Sequence, residues 1–101
     1  MAWVRIGVYR LGGDQGGIDR DEAVRLTRES AVPLVQGLPG FLDYELVEAG
    51  DTFLAISHWR TREEATAVTV AHEEWRQATA PTLPQPVEVH IGEVVIARQE
   101  A

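Results

Sequence analysis

Four side chains with imidazole, phenol or indole groups occupy positions that folding would bring together. His72 and Trp75 are three residues apart, so they share one face if their segment is helical. Tyr44 and His58 belong to two segments of alternating residues that are typical of strands. If the helix packs on the apolar face of the sheet that these strands form, all four groups border one mostly apolar cleft, which is our candidate site.

The chemistry available to this cleft is acid–base catalysis on a flat aromatic ligand. Imidazole titrates near neutral pH, so a histidine could deprotonate a phenol that the Tyr44 hydroxyl orients and the Trp75 ring stacks against. The resulting electron-rich ring can react with oxygen without a metal, so we expect no cofactor. The predicted catalytic residues are His72, Tyr44 and His58, and the predicted substrate-binding residues are Trp75, Val68, Leu54 and Ile56.

Structural roles are the alternative for each of these residues. A histidine on an apolar helix face is commonly a hydrogen-bonded core residue, and buried tyrosine and tryptophan commonly serve packing alone. The three histidines, His58, His72 and His90, lack the spacing of paired metal ligands, so no metal site is predicted. The glycine-rich segment 12–17 lacks the Gly-Lys-Ser/Thr ending of a phosphate-binding loop, and no Ser-His-Asp pattern is present.

Six predicted elements position these side chains. Capping signals predict two helices, one from Asp19 and one from Thr61, and Pro33 is expected to kink or shorten the first. Alternating residues predict four strands, over 3–11, 41–47, 52–59 and 87–97. The last strand changes phase at Gly92, which suggests a bulge or bend. The order strand, helix, strand, strand, helix, strand predicts one ferredoxin-like α+β domain over residues 1–101, with an antiparallel four-stranded sheet and both helices on one face.

The predicted sheet has an aliphatic face and an aromatic face. The aliphatic face, expected to lie beneath the helices, carries Val4, Ile6, Val8, Leu42, Leu46, Leu54 and Ile56. This assignment uses a hairpin register that pairs Glu48 with Thr52. The aromatic face carries Trp3, Tyr9, Phe53 and Trp59, which is more apolar area than a monomer commonly leaves in water. A second copy of the chain is therefore expected to cover it, with Arg5, Asp43 and Glu45 forming ion pairs in the homodimer interface.

The composition disfavours several classes of function. The 101 residues carry a net charge of −7, which repels the phosphate backbone of nucleic acids. All nine basic residues are arginines, which remain charged when buried and suit ion pairs in interiors and interfaces. No cysteine is present, so disulfides and thiolate chemistry are excluded and a cytoplasmic location is expected. No apolar segment has the length needed to span a membrane, so neither nucleic acid nor membrane is a predicted partner.

Several segments resemble the antibiotic biosynthesis monooxygenase-like superfamily. The resemblance covers the string from Pro33 to Phe41, then Tyr44, Gly50-Asp51 and the run from Trp59 to Ala65. It implies ferredoxin-like protomers paired into a dimeric α/β barrel and, for one branch, cofactor-independent monooxygenases that act on aromatic polyketides. The implied function is oxygenation of an aromatic or polyketide-like small molecule. The alternative is a non-catalytic dimer that binds a hydrophobic metabolite.

The haem-degrading branch of this superfamily fits less well. Its pattern requires an asparagine on the first strand, a tryptophan within the second helix and a histidine near the end of that helix. This chain contains no asparagine, and Val68 and Ala78 occupy the two helix positions. Haem degradation is therefore disfavoured. The missing asparagine also departs from the polyketide-oxidising pattern, which leaves aromatic and imidazole groups to carry the chemistry.

Overall fold

The computed structural model describes residues 2–10 and 19–98, which contain four strands and two helices. The strands are β1 (Trp3–Arg10), β2 (Phe41–Ala49), β3 (Thr52–Trp59) and β4 (Glu88–Glu93). Helix α1 covers residues 20–36 and helix α2 covers Arg62–Thr79, and neither is long and apolar enough to cross a membrane. The strands form one antiparallel sheet in the order β2-β3-β1-β4, which confirms the predicted ferredoxin-like α+β fold. Leu11 and the glycine-rich segment 12–17 lie outside the described residues.

The hairpin of β2 and β3 has a register one residue away from the predicted one. The turn contains only Gly50 and Asp51, so Ala49 pairs with Thr52, and the predicted pairing of Glu48 with Thr52 is wrong. Gly50 has a φ of 65°, a left-handed conformation that glycine adopts without strain. Because side chains alternate along a strand, a slip of one residue turns every β3 side chain to the opposite face relative to β2.

The aromatic face of the sheet, not the aliphatic one, lies beneath the helices. The buried side chains on this face are Arg5, Tyr9, Phe53, Ala55, Ser57 and Trp59. The predicted core residues of β1 and β3 are half-buried on the other face: Val4, Ile6, Val8, Leu54 and Ile56. Leu42, also predicted in the core, is exposed at a β-bulge. The predicted assignment of faces is therefore wrong for β1 and β3, and Arg5 does not share a face with Asp43 and Glu45. Leu46 of β2 does lie on the covered face, as predicted.

The large area of the aromatic rings explains which face is covered. Each buried ring removes about 150–250 Å² from water, which is worth roughly 4–6 kcal/mol at about 25 cal/mol per Å². Trp59 is fully buried in one cluster with Val35 of α1 and Val68 of α2. Small residues on the same face, Gly7 and Ala55 among them, leave room for the rings beneath the helices.

Helix α1 changes its geometry just before Pro33. It is α-helical over Arg20–Leu26, π-helical over Thr27–Ala31 and α-helical again over Val32–Gln36. The Val32 N–H donates to the Thr27 carbonyl, which is the wider hydrogen bond of a π-turn. Proline has no N–H to donate within a helix, so the irregular turn accommodates Pro33 and the helix continues to Gln36. The same turn presents Ser30 to α2.

Helix α2 begins with the predicted capping box. The Glu64 N–H donates to Thr61 Oγ1 at 3.2 Å, and the Thr61 N–H donates to Glu64 Oε1 at 3.1 Å. Gly40, with a φ of 81°, lies against the Glu64 carboxylate at a point where a Cβ atom would overlap it. The Arg60 N–H also donates to the Gly40 carbonyl at 3.0 Å. The start of α2 is thus tied to the turn that precedes β2.

The last strand is shorter than the alternation predicts. β4 pairs with β1 from Glu88 to Glu93 and ends there. Val95 and Ile96 lie beyond it with 77% and 84% of their surfaces exposed, so the predicted continuation of the strand to residue 97 is wrong. Among the strands of residues 2–10 and 19–98, none pairs with this segment.

Candidate functional site

A cleft separates helix α2 from the aromatic face of the sheet. Its centre is a narrow cavity of about 40 Å³ whose lining includes Tyr9, Leu46, Phe53, His72 and Trp75. Two wider openings adjoin the centre. The first opening, about 320 Å³, lies beside Arg5 and Thr69, and the second, about 310 Å³, lies beside Tyr44 and Glu48. The volumes of both openings lie at the lower end of the range for small-molecule sites, which is about 300–1,000 Å³.

Three polar side chains form a buried chain of contacts at the centre of the cleft. Arg5 Nη2 donates to the Tyr9 hydroxyl at 3.4 Å, and the Tyr9 oxygen lies 3.5 Å from His72 Nδ1. All three residues are less than a tenth exposed. Because the guanidinium occupies an acceptor position of the phenol oxygen, the phenol proton can point to Nδ1. These contacts connect a positive charge on β1 to an imidazole on α2.

Gly7 makes this chain of contacts possible. Arg5 and Tyr9 share one face of β1, with Gly7 between them on the same face. A Cβ atom at Gly7 would lie 2.8 Å from Arg5 Nη1 and 2.9 Å from Tyr9 Cε2, which is too close for a carbon atom. The absence of a side chain therefore lets the guanidinium fold along the strand to reach the phenol.

The environment of His72 keeps its imidazole neutral. Burial is the main cause that lowers the pKa of His72 to about 4, and the charges of Arg5 and Arg76 act in the same direction, whereas Glu73 opposes them. A neutral imidazole has one ring nitrogen free to accept a proton. His72 is therefore neutral at neutral pH, with one ring nitrogen free to accept a hydrogen bond.

Trp75 forms the wall of the cleft next to His72. The two ring centroids are 5.3 Å apart, and the Trp75 indole N–H donates to Ser30 Oγ at 2.7 Å. Since Ser30 belongs to the π-turn of α1, this hydrogen bond ties the two helices together. The indole is thus held in one orientation at the side of the cavity.

Tyr44 faces the helices, as predicted, but it borders the second opening rather than the centre of the cleft. Burial raises the pKa of Tyr44 to about 12, with a further contribution from Tyr9, while Arg5 opposes the shift. The phenol therefore stays protonated at neutral pH. It can donate a hydrogen bond to a ligand but cannot act as a base.

A family model matches most of this chain. The model of the antibiotic biosynthesis monooxygenase family matches residues 19–81, more than half of the chain. This chain belongs to that family. A search of curated proteins found no match.

Solved structures share the fold of this family member. A monooxygenase from the gene ActVA-Orf6 of Streptomyces coelicolor, in complex with the ligand nanaomycin D, has a TM-score of 0.68 and 15% identity, covering 99% of this chain and 93% of that chain. Rv0793 from Mycobacterium tuberculosis has a TM-score of 0.68 and 16% identity, covering 98% and 100%. A MhuD mutant with two manganese protoporphyrin IX bound per active site has a TM-score of 0.67 and 17% identity, covering 97% and 99%. At these identities the likeness establishes the fold.

Four predicted site residues of this family member do not border the cleft: His58, Leu54, Ile56 and Val68. The first three lie on the uncovered face, because the helices cover the aromatic side of the sheet. Val68 is 1% exposed and packs in the core cluster around Trp59. The prediction that these four side chains face the cleft is wrong. The structure does bring His72 and Trp75 together at the centre, with Tyr44 at the second opening.

The three histidines that were considered as metal ligands lie in different environments. His72 lies in the cleft, His58 is on the uncovered face, and His90 is exposed on β4 with its Nε2 atom 3.1 Å from Glu88 Oε2. Within residues 2–10 and 19–98, no group of three or more His, Asp or Glu side chains is arranged to hold a metal ion.

Two cleft residues, Arg5 and Tyr9, were assigned to the dimer interface by the sequence pattern. A charged residue in the middle of a strand favours an exposed or interface position when it is considered alone. The available signal is Gly7, which stands between the two side chains and allows the longer one to fold onto the other. That signal identifies a close contact but not the face on which it lies.

Proposed function

We propose that this protein is a cofactor-independent monooxygenase that acts on a flat aromatic small molecule in the cleft between α2 and the sheet. The observation that carries the proposal is the buried Arg5–Tyr9–His72 chain, which holds a neutral proton acceptor near a positive charge in largely apolar surroundings. Family membership supports a monooxygenase or small-molecule-binding role. The ligand of the Streptomyces coelicolor monooxygenase supports small-molecule binding by this fold.

The proposed reaction begins with the removal of a proton from an anthrone-type substrate. His72 accepts the proton, directly or through Tyr9, and the Arg5 guanidinium stabilises the anion that results. The electron-rich carbon that has lost this proton then reduces O₂, and His72 returns the proton to the departing oxygen atom. One oxygen atom forms a carbonyl group on this carbon, and the other leaves as water with the two hydrogen atoms of the CH₂ group. The substrate supplies all the electrons, so the reaction balances without a cofactor.

Burial lowers the pKa of His72 to about 4, the charges of Arg5 and Arg76 lower it further, and Glu73 opposes them. A substrate anion beside the imidazole would offset the two positive charges. The pKa of His72 would then rise toward the range in which imidazole is an effective base. Ionisation of the substrate and protonation of His72 therefore favour each other.

Oxygen uptake with anthrone as substrate tests this proposal. The change His72→Ala is expected to lower turnover about 100-fold or more, since it removes the proton acceptor. The matched control, His90→Ala, changes an exposed histidine on β4 and should leave turnover within about twofold. If wild-type protein takes up no oxygen but anthrone raises its melting temperature, the alternative of a non-catalytic binder replaces the enzyme. Equal turnover in the two variants would remove His72 from the mechanism.

We also propose that the protein forms a homodimer through the uncovered face of the sheet. The aliphatic patch on this face consists of Val4, Ile6, Val8, Leu54 and Ile56. The patch is contiguous, because Ile6 is paired with Ile56 and Val8 with Leu54 across neighbouring strands. Contiguous apolar patches of this kind favour association with a partner. The proposed interface is therefore the aliphatic face, in place of the aromatic face that the sequence predicted.

A further inference from the structure

Arg5 is a buried charge that uses little of its hydrogen-bonding capacity. Arg5 is 4% exposed, and its guanidinium carries five N–H donors. Among residues 2–10 and 19–98, only the Tyr9 hydroxyl accepts one of them, and no carboxylate forms an ion pair with Arg5. The Arg5 Nε atom is buried without a partner. Buried charges are normally paired, so this one indicates a missing acceptor.

A second buried group lacks a partner at the same place. The Thr69 hydroxyl on α2 is buried and makes no hydrogen bond within the described ranges. Thr69 and Arg5 both border the first opening of the cleft, the cavity of about 320 Å³ that His72 also borders. The two residues that carry these unpartnered donors come from different elements and border one cavity. A ligand with oxygen acceptors would satisfy both of them.

The charges around the first opening favour an anion there, although the whole chain has a net charge of −7. Glu73 borders this cavity, but its carboxylate accepts from Arg76 Nη2 at 2.7 Å and from Gln77 Nε2 at 3.1 Å. Arg76 and Glu73 therefore neutralise each other, and the charge of Arg5 remains. A carboxylate has the planar pair of oxygen atoms that matches a guanidinium.

We propose that the first opening is a binding site for the carboxylate group of an aromatic acid. Arg5 donates to the carboxylate oxygens and the Thr69 hydroxyl donates to one of them. The aromatic ring of the ligand occupies the rest of the opening, beside His72. This inference rests on the proposed function, because it names an aromatic acid as the substrate class of the same cleft.

Isothermal titration of the 101-residue protein with 2-naphthoate and 2-naphthamide at neutral pH tests the inference. The two compounds share their ring system and nearly their size, but only naphthoate is an anion. We expect naphthoate to bind about tenfold more tightly or better, since it alone forms charge-assisted hydrogen bonds with Arg5. Equal affinities, or no binding of either compound, would overturn the carboxylate site.

Variants identify the residues responsible. Arg5→Gln should abolish the preference for naphthoate. Thr69→Val leaves the contact of Arg5 with Tyr9 intact and should weaken naphthoate about tenfold but naphthamide by less, since a neutral carbonyl accepts a weaker hydrogen bond than a carboxylate. Arg60→Gln, which removes an exposed positive charge that does not border the cleft, is the matched control and should keep the preference. The inference is wrong if Thr69→Val leaves naphthoate binding unchanged, or if Arg60→Gln weakens it equally.

The naphthoate titration and the oxygen-uptake measurement can refute their two proposals independently. A preference for naphthoate without oxygen uptake from any anthrone would overturn the monooxygenase proposal and leave the carboxylate site standing. Oxygen uptake from a neutral anthrone without a preference for naphthoate would do the reverse.

Discussion

The buried imidazole of His72 makes the stability of the fold depend on pH. Its folded pKa of about 4 lies below the ordinary value of 6.5, so the unfolded chain binds more protons between these two values. The contribution of neutral His72 to stability is therefore complete above about pH 6.5 and is lost as the pH falls toward about 4. The charged groups that act on it, Arg5 from β1 and Glu73 and Arg76 from α2, all remain in a His72→Gln variant.

Urea unfolding of wild type and His72→Gln measures this effect. Between about pH 7.5 and about pH 4.5, wild type is expected to lose about 2–3 kcal/mol more of its unfolding free energy than the variant, because only wild type takes up the extra proton on unfolding. Parallel losses in the two proteins would contradict a neutral, buried His72.

Helical spacing was sufficient to predict that His72 and Trp75 share the side of α2 that faces the cleft. It could not predict the charge state of His72, which depends on burial and on Arg5, a residue distant in sequence. The sequence pattern also could not predict the contact of Tyr9 with His72, since this contact exists only when the aromatic face of β1 is the covered one.

The turn before β2 depends on the start of α2 through Gly40. Gly40 and Gly50 both have positive φ values, so alanine costs about 1 kcal/mol or more at either position. Only at Gly40 would the new Cβ atom meet another group, the Glu64 carboxylate of the capping box. We therefore expect the free energy of unfolding, measured in urea, to be about 1–2 kcal/mol lower for Gly40→Ala than for Gly50→Ala. Equal losses would show that Glu64 can leave the capping box without cost.

The elements and their order follow from capping and alternation, but the faces of the sheet do not. A turn of two residues around Gly50, in place of three, shifts the pairing of β2 and β3 by one residue and reverses the relative faces. Along β1, aliphatic residues occupy one phase, and two aromatic residues with Arg5 occupy the other. Burial of Arg5 with the second phase is costly, but the ring area of Tyr9, Phe53 and Trp59 outweighs this cost once the strands are assembled.

At the scale of the whole molecule, the proposed dimer combines an apolar attraction with an electrostatic repulsion. Each chain carries a net charge of −7, so association brings two strongly negative chains together. The aliphatic patch must overcome this repulsion. Added salt screens charges that are separated by more than about 10 Å and barely weakens apolar contacts. The dimer should therefore dissociate more readily at low ionic strength than at high ionic strength.

Light scattering coupled to gel filtration tests the dimer and its location together. Wild type should elute with twice the chain mass of 11.2 kDa, and Ile56→Glu should elute as one chain, because it places a charge in the centre of the aliphatic patch. The matched control, Val70→Glu, makes the same kind of change on α2, where the valine is 60% exposed, and should remain a dimer. A wild-type mass of one chain at micromolar concentration would contradict the dimer. Dissociation by Val70→Glu with no effect of Ile56→Glu would move the interface to the helices, and the aliphatic patch would then need another explanation.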